Sequence, residues 1–476
     1  MSGRAPTALD AAPPPPLARS TAVMAAGTLL SRVTGFGRLV ALAYAMGFTR
    51  LTDSYNLANV TPNIVYELVL GGVLSATLVP LFVDRLSNDD EDEAWRAISA
   101  VVTAAAAVVL VVTAVFVLVA PLLIELYTVG NDSPSVDDQR EVATTLLQMF
   151  APQVAFYAAV TLATAVLHAR RRFAAPMFAP VLNNLVVIGV LLALPHVADE
   201  VTLEAVRDDA AVLALLGVGT TAGVAAMAVT LLPPLRRAAA GRLRPVWDPR
   251  HRAVRAVVRL SGWTFGFVAA NQAALMVVLV LANRRAGDVA AYQAGLVFFL
   301  LPHGVFAVSI ISALQPELSE RWALGDVAGY ADRVGTGLRT IAVIVVPAAV
   351  GYLCLAHPIV SVALEHGALG EGSADVTADV LALFALGLPG FSAYLFLMRC
   401  YQAMQDTRSV FVFYVVENGV NVALALALHP FLGVQGLALA YAVAYTVGTA
   451  VALAHLHRRT GALRGRAVGA TWARVA

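Results

Sequence analysis

The feature that most constrains this chain is a succession of apolar runs, each roughly 20–30 residues long, separated by short polar loops. Hydrophobic residues make up 59% of the 476 positions and charged residues only 13%, against about 25% in a soluble domain. Because a bilayer satisfies no backbone polar groups, such runs cross it as helices. We predict an all-α polytopic membrane protein with about twelve transmembrane helices.

The basic residues predict the orientation of these spans. All 32 are arginines, of which 23 lie in loops on the side of the N-terminus, five on the opposite side and four within spans. Positively charged loops stay in the cytoplasm. We therefore predict a multi-pass plasma membrane protein with both termini cytoplasmic.

The absence of lysine excludes several chemistries. Without it the chain has neither a nucleotide-binding GK[ST] loop nor a Schiff-base amine. No nucleophile–base pair or metal spacing occurs, and Cys354 and Cys400 both lie in spans, so we expect no enzyme activity and no cofactor. Energy would then come from the membrane potential, from a gradient of a coupled ion such as Na⁺ or H⁺, or from a partner.

The two halves of the chain repeat each other at an offset of about 235 residues. Matched pairs include Asp53 with Asp288, Tyr55 with Tyr292, Pro62 with Pro302, Pro80 with Pro316 and Asn184 with Asn418. Six spans per half give both halves the same orientation, which is typical of two lobes related by an axis along the membrane normal. We predict two six-helix lobes with this pseudo-two-fold symmetry, flanking a central cavity.

The spans and the duplication divide the chain into five predicted segments. They are 1–21, a disordered cytoplasmic N-terminus; 22–235, the N-lobe with spans 1–6; 236–253, a basic cytoplasmic linker; 254–457, the C-lobe with spans 7–12; and 458–476, a basic cytoplasmic tail.

Two arginines inside the first span indicate the kind of solute. Arg32 and Arg38 stand in the stretch SRVTGFGR, where a buried arginine costs roughly 2.5–3.5 kcal/mol on insertion scales and so normally faces a partner or a wet cavity. The guanidinium fork binds phosphate oxygens bidentately. We interpret the pair as contacts for an anionic substrate, with snorkelling to the interface as the alternative.

Three further residues are candidates for substrate binding. Asp53 lies near the outer mouth, where it either caps the second helix or takes part in gating. Glu67, on span 2, can pair with an arginine of span 1 or couple protons. Arg259 begins span 7 and either snorkels or captures phosphate at the inner mouth.

A cation site is possible in span 11. Glu417 and Asn421 are four residues apart, hence on one helix face, with Asn418 adjacent. Their oxygens can hold Na⁺, and the alternative is hydrogen bonding between helices.

The opening run SRVTGFGR…TDSYNLANVTPNIVYELVLGGVLSATLVP resembles the MurJ/MviN family, the lipid II flippases of the multidrug/oligosaccharidyl-lipid/polysaccharide exporter superfamily. LHARRRFAAPMFAP and YQAMQDTR resemble two of that family's helix connections, and the form of PNIVYELVLGGVL resembles the actinobacterial branch. The resemblance implies transport of the undecaprenyl-pyrophosphate-linked peptidoglycan precursor from the inner to the outer leaflet, for cell wall synthesis.

The resemblance also has consequences for individual residues and partners. The family's cavity arginines fall on Arg32 and Arg38 and its aspartate on Asp53, whereas Tyr66 replaces an arginine and Gly71 an acidic residue. Family members usually have fourteen helices against the twelve predicted here. The implied partners are the lipid-linked precursor, membrane lipid and cell wall synthesis or division proteins, with no nucleic acid and a monomeric chain.

Two other functions compete with this one. A flippase for another polyprenyl-pyrophosphate oligosaccharide would need the same cavity charge. A multidrug or cation antiporter of the same superfamily should instead line its N-lobe with carboxylates, and span 2 offers only Glu67.

Overall fold

The computed structural model describes residues 17–71, 78–88, 90–260 and 262–461. Within these ranges every regular element is helical. The helices run back and forth between two faces. We call the face where α1 (Leu17–Met46) begins the termini face, and the opposite one the far face.

The N-lobe contains the first nine helices. They are α1, α2 (Arg50–Tyr66), α3 (Val79–Asn88), α4 (Glu91–Tyr127), α5 (Val136–Phe150), α6 (Pro152–Ala169), α7 (Ala174–Val197), α8 (Leu203–Asp208) and α9 (Ala210–Ala239). Helix α1 begins inside the segment 1–21 that was predicted to be disordered. Residues 1–16 lie outside the described ranges, as do residues 462–476 of the predicted basic tail.

The C-lobe contains the remaining seven helices. They are α10 (Arg252–Leu260), α11 (Gly262–Ala282), α12 (Asp288–Pro302), α13 (Val308–Ala323), α14 (Val327–Leu364), α15 (Glu371–Ala403) and α16 (Thr407–Thr460). Gly433 interrupts α16 with φ 58° and ψ −139°. The rings of Phe413 and His455, on either side of that break, lie 5.5 Å apart, so α16 is a hairpin of two antiparallel spans.

Twelve spans result, although only nine helices among the described residues are long and apolar enough to qualify by hydropathy. The other three are α1, the interrupted span α2–α3 and the second half of α16. Helix α1 contains arginines, and α2 contains aspartate, asparagine and threonine, which lower their mean hydropathy. The spans that fail the criterion therefore include the two that carry most of the predicted site.

The duplication is visible in the helices. Span 2 of the N-lobe contains a π-helical turn at Glu67–Gly71, and span 8 contains one at His303–Ala307, each following a proline in the preceding helix. A proline removes a helical hydrogen bond, which permits such a local widening. Likewise α1 packs on α7 as α11 packs on the first half of α16. The predicted relation between two similar lobes is confirmed.

Candidate functional site between the lobes

The far face is closed by a carboxylate of the N-lobe that binds the start of a C-lobe helix. Asp53, fully buried, accepts hydrogen bonds from the backbone N–H of Gly287 at 2.6 Å and of Ala290 at 3.0 Å. These amides belong to the first turn of α12, where a negative charge also meets the positive end of the helix dipole. Thr49 caps α2 itself. Asp53 therefore joins the two lobes instead of capping its own helix.

A buried amide network reinforces this closure. Arg50 donates to the backbone carbonyl of Asn283 at 2.7 Å, and Gln139 Nε2 donates to Asn283 Oδ1 at 2.7 Å. Asn283 in turn donates to the carbonyl of Tyr127 at 3.1 Å. The N–H of Ala368 donates to the carbonyl of Tyr44 at 2.9 Å. Hydrogen bonds from both lobes thus hold the far face shut.

Toward the termini face the lobes still touch where α10 packs on α4, whereas few contacts join them beside α1. The rings of Phe36 and Phe298 meet edge to face at 5.2 Å and form the last aromatic contact between α1 and α12. Beyond it Arg32 is exposed, as is Asn63 of α2, although both lie well inside membrane-spanning helices. Because a polar side chain exposed at this depth avoids lipid, we infer a gap between the lobes beside Arg32 and Gly304, and we call it the interlobe gap.

Arg32 is in the middle of α1 and reaches toward the C-lobe. At 1.5 Å per residue it lies about 22 Å from the first residue of α1 and about 21 Å from the last. A Cβ added to Gly304 would lie 3.6 Å from the Arg32 guanidinium. The side chain therefore lies against the second π-helical turn, and among the described residues it makes no ion pair.

Arg38 is half-buried and faces the N-lobe. It lies about 9 Å further along α1 than Arg32 and about 120° around it. It is within electrostatic range of Tyr157 of α6. The Tyr157 ring lies 5.6 Å from that of Tyr66, whose hydroxyl is 2.7 Å from Thr161 Oγ1. The two arginines thus present charge to different walls of one region.

Glu67 and Arg259 are less closely tied to this region. Glu67, the first residue of the π-helical turn in span 2, is half-buried. No hydrogen bond or ion pair joins it to a described residue, so the pairing with an arginine of α1 is not made there. Arg259 is exposed on α10, as its snorkelling alternative requires.

The glycines around the arginines pack α1 against its neighbour. Added Cβ atoms on Gly35 and Gly37 would lie 3.6 Å from Asn184 and Ile188 of α7. Asn184 Nδ2 donates to the Ser31 carbonyl at 3.2 Å and to Thr34 Oγ1 at 3.0 Å. These contacts fix the face of α1 that turns away from the gap.

The span 11 candidates lie together inside the C-lobe. Glu417, Asn418 and Asn421 are all buried, and neither Glu417 Oε2 nor Asn421 Oδ1 has a hydrogen-bond partner among the described residues. Asn418 Nδ2 donates to Asn271 Oδ1 at 2.6 Å and to the Tyr414 carbonyl at 2.8 Å. Asn418 therefore has the interhelical bond that was its alternative, whereas the other two present unpartnered oxygens.

Sequence reasoning missed the residues that close the far face. Asn283 and Gln139 carry no motif, and they become a network only when the second half of the chain folds against the first. Tyr157 was likewise unmarked. The sequence does show polar residues at the ends of apolar spans, but it does not show which residues they bind.

Comparisons with known proteins agree with this architecture. A model of the family "Lipid II flippase MurJ" matches residues 42–476. A "Probable lipid II flippase MurJ" of Rhizobium tropici is 27% identical over 434 residues, which cover 91% of this chain and 79% of that protein. The "Lipid II flippase MurJ" of Burkholderia cenocepacia is 25% identical over 454 residues, which cover 93% and 84%.

Solved structures have the same fold. One of "Lipid II flippase MurJ, inward closed conformation" superposes with a TM-score of 0.77 at 22% identity, covering 91% of this chain and 87% of the other. An inward-facing MATE family multidrug transporter of the MOP superfamily gives 0.72 at 12% identity, covering 93% and 99%. Arg32 and Arg38 precede the residues matched by the family model. Since that model matches most of the chain, the chain belongs to the lipid II flippase MurJ family.

Proposed function

We propose that this membrane protein flips lipid II across the plasma membrane by alternating access. The observation that carries the proposal is the pair of arginines within α1, Arg32 exposed at the interlobe gap and Arg38 half-buried toward the N-lobe, in a molecule whose far face is shut. A pyrophosphate held by Arg32 and Arg38 would keep charge-assisted hydrogen bonds while it is out of water. Rocking of the lobes would then expose it to the far face.

The direction of transport follows from the proposed orientation. The termini face carries the loops with most of the 32 basic residues, which supports a cytoplasmic location. In a cysteine-free background, a membrane-impermeant maleimide should label Asp199→Cys in intact cells. It should label Arg172→Cys only after permeabilisation, and the reverse result would invert the topology.

The buried oxygens of the C-lobe support a coupling cation. Glu417 and Asn421 would hold Na⁺, which neutralises a carboxylate that is costly to bury without a partner. A bound cation would supply charge compensation for the anion in the N-lobe, and no step needs another cofactor. Protonation of Glu417 is the competing solution and gives H⁺ coupling.

The partners proposed are the lipid-linked precursor and the surrounding lipid, with cell wall synthesis or division proteins nearby and the chain working as a monomer. No nucleic acid is involved.

Complementation tests the proposed function directly. Expression in a strain depleted of its lipid II flippase should restore growth and the appearance of lipid II at the outer leaflet. The control is the double variant Arg32→Ala/Arg38→Ala, which should insert in the membrane without rescuing. Failure to rescue, together with export of cationic drugs, would favour the antiporter. Rescue of a strain that lacks a different polyprenyl-pyrophosphate oligosaccharide flippase would show that the substrate is that other glycolipid.

A further inference from the structure

An apolar groove lies where the first span of the C-lobe meets spans 2 and 3 of the N-lobe. Its walls are span 2 and α4 on one side, and α10 with the first turn of α11 on the other. The groove holds about 390 Å³, and every residue that lines it is apolar. Val108, Val258 and Phe265 in its walls are exposed, so the groove is open to the surrounding lipid.

The groove lies in the half of the membrane next to the termini face. Its α4 residues, from Val101 to Val108, belong to the half of α4 nearer Glu91, where that helix begins on the termini face. Trp247, just before α10, is exposed, and tryptophan is typical of the boundary between membrane and water. The groove is therefore within reach of lipids of the leaflet on this face.

Helix α10 has one apolar side and one basic side. Residues three and four positions apart share a side of a helix. The valines that line the groove are spaced in this way: Val254, Val257 and Val258. The exposed arginines are spaced in the same way on the opposite side: Arg252, Arg255 and Arg259. A helix with this pattern lies in the membrane interface, with its apolar side toward hydrocarbon and its basic side toward headgroups.

The linker before α10 holds this helix against α4. The backbone N–H of Arg244 donates to Ser99 Oγ at 3.2 Å, and that of Val246 donates to Thr103 Oγ1 at 3.0 Å. Ala253 of α10 is buried in an apolar cluster together with residues of α3 and α4. The position of the basic side relative to the groove is therefore fixed by packing.

The arginines of α10 are available to an anion from outside the protein. None of them forms an ion pair with a described residue. The acids at the start of α4 are engaged by other cations, since Glu91 pairs with Arg242 and a Glu93 oxygen lies 3.5 Å from His251 Nε2. Positive charge thus remains beside the exposed edge of the groove at Val258, which is one turn from Arg255.

We propose that the groove and the basic side of α10 form a binding site for an anionic phospholipid of the cytoplasmic leaflet. One acyl chain lies in the groove, and the phosphate of the headgroup is bound by the arginines of α10. Each arginine next to an anionic lipid headgroup contributes about 5-fold in binding, which favours this occupant over a zwitterionic lipid. The proposal uses the proposed orientation of the chain and does not depend on which solute is transported.

A lipid in this groove contacts both lobes. The N-lobe supplies one wall through α4, and the C-lobe supplies the opposite wall through the first turn of α11. A movement of the lobes that changes the distance between these two helices also changes the width of the groove. The bound lipid should therefore stabilise the arrangement described above, in which the far face is shut.

Two variants separate the charge from the groove. Arg252→Gln/Arg255→Gln removes two charges from the basic side and leaves the groove as it is. Gly262→Leu fills the groove, because a Cβ added to Gly262 meets nothing within 4 Å. Leucine also favours a helix more than glycine does, so this variant should fold.

Each variant has a control of the same type. Arg236→Gln/Arg237→Gln removes two charges that are exposed at the end of α9 on the termini face. Gly189→Leu adds the same side chain to α7, where an added Cβ also meets nothing within 4 Å. Thermal unfolding of each purified full-length protein checks that it is folded.

The measurement is native mass spectrometry of the full-length protein with added phosphatidylglycerol or phosphatidylcholine, which gives an apparent dissociation constant for each lipid. Wild type and both controls should bind phosphatidylglycerol more tightly than phosphatidylcholine. Arg252→Gln/Arg255→Gln should weaken the binding of phosphatidylglycerol about 30-fold and leave that of phosphatidylcholine nearly unchanged. Gly262→Leu should weaken the binding of both lipids, because it occupies the place of the acyl chain.

Two results would overturn the phospholipid site. If the folded variants bind phosphatidylglycerol as wild type does, the site is wrong. If undecaprenyl phosphate binds more tightly than phosphatidylglycerol and Gly262→Leu weakens it most, the groove holds the polyprenyl chain of the substrate and not a phospholipid. Neither result bears on the complementation test, so the failure of this site and the failure of the flippase proposal are distinguishable.

Discussion

At the scale of the residue, the arginines of α1 carry the largest predicted effect. Arg32→Ala and Arg38→Ala should each abolish most transport, because a charge-assisted hydrogen bond to a desolvated phosphate contributes about 1.5–3 kcal/mol, or about 10–150-fold in binding. Lysine should rescue only partly, since it keeps the charge and loses the fork. Flipping of lipid II in proteoliposomes is the measurement. Arg399→Ala, exposed near the end of α15, is the control, and full activity of both alanine variants would contradict the arginine site.

Glu417 is the residue that should reveal a cation. Na⁺ bound only to the folded protein raises its melting temperature by mass action. The melting temperature of wild type should be higher in Na⁺ than in K⁺. This difference should disappear in Glu417→Gln and persist in Glu371→Gln, since Glu371 is an exposed acid on the far face. An equal rise in wild type and Glu417→Gln would remove the Na⁺ site. If acid pH raises the melting temperature of wild type and Glu371→Gln but not that of Glu417→Gln, Glu417 binds a proton instead of Na⁺.

At the scale of the element, the start of α12 decides whether the far face opens. Asp53→Ala removes a buried carboxylate that binds two backbone amides, so the closed arrangement should lose about 1.5–3 kcal/mol. Distances between spin labels on Asp132 and Asp375 of the two lobes should lengthen. Glu371→Ala is the control, because Glu371 is exposed on the far face and makes no hydrogen bond to the N-lobe among the described residues. If the distance between the spin labels lengthens equally in both variants, Asp53 does not specifically close the far face.

The N-terminus of α14 gives a pH-dependent prediction on the termini face. Asp326 accepts from the Gly329 N–H at 2.8 Å and from Arg321 at 2.9 Å, and these bonds hold the pKa of the Asp326 carboxyl below its ordinary value. A lowered pKa stabilises the folded state above the ordinary value of about 3.9, and this stabilisation is lost as pH falls through the lowered value. The melting temperature of wild type should exceed that of Asp326→Asn at pH 7, and the difference should vanish near pH 2. A constant difference would contradict the assignment.

Elements were predictable from the sequence to different degrees. Apolar length alone identifies α4 or α14, whereas the start of α2 at Arg50 is not marked by an apolar run, because its first turns are polar and bury Asp53 and Asn56. The arginines of α1 were visible as charges in an apolar run. The partner of Asp53 was not, since it consists of backbone amides from a helix 234 residues away.

At the scale of the whole molecule, transport should depend on the membrane potential. A pyrophosphate diester carries about two negative charges, and moving each outward down an inside-negative potential releases about 2.3 kcal/mol per 100 mV. Collapsing the potential with an ionophore in proteoliposomes should slow flipping without any need for ATP. An inactive Arg32→Ala/Arg38→Ala preparation corrects for passive leakage. If the flipping rate is unchanged by the ionophore but requires ATP and a second protein, the membrane potential is not the energy source.

The repeat has a consequence for how the two halves came to differ. Asn183 and Asn184 of α7 align with Glu417 and Asn418 of α16, so a neutral amide in one half corresponds to an acid in the other. Asn184 and Asn418 keep the same structural task, since each donates a hydrogen bond to the first span of its lobe, which is α1 for Asn184 and α11 for Asn418. The residues of α11 at the same offset of 234 from Arg32 and Arg38 are Gly266 and Gln272, neither of which is charged. An exact repeat would present the same charges twice, whereas this chain carries two arginines in the first span of one half and an acid in span 11 of the other.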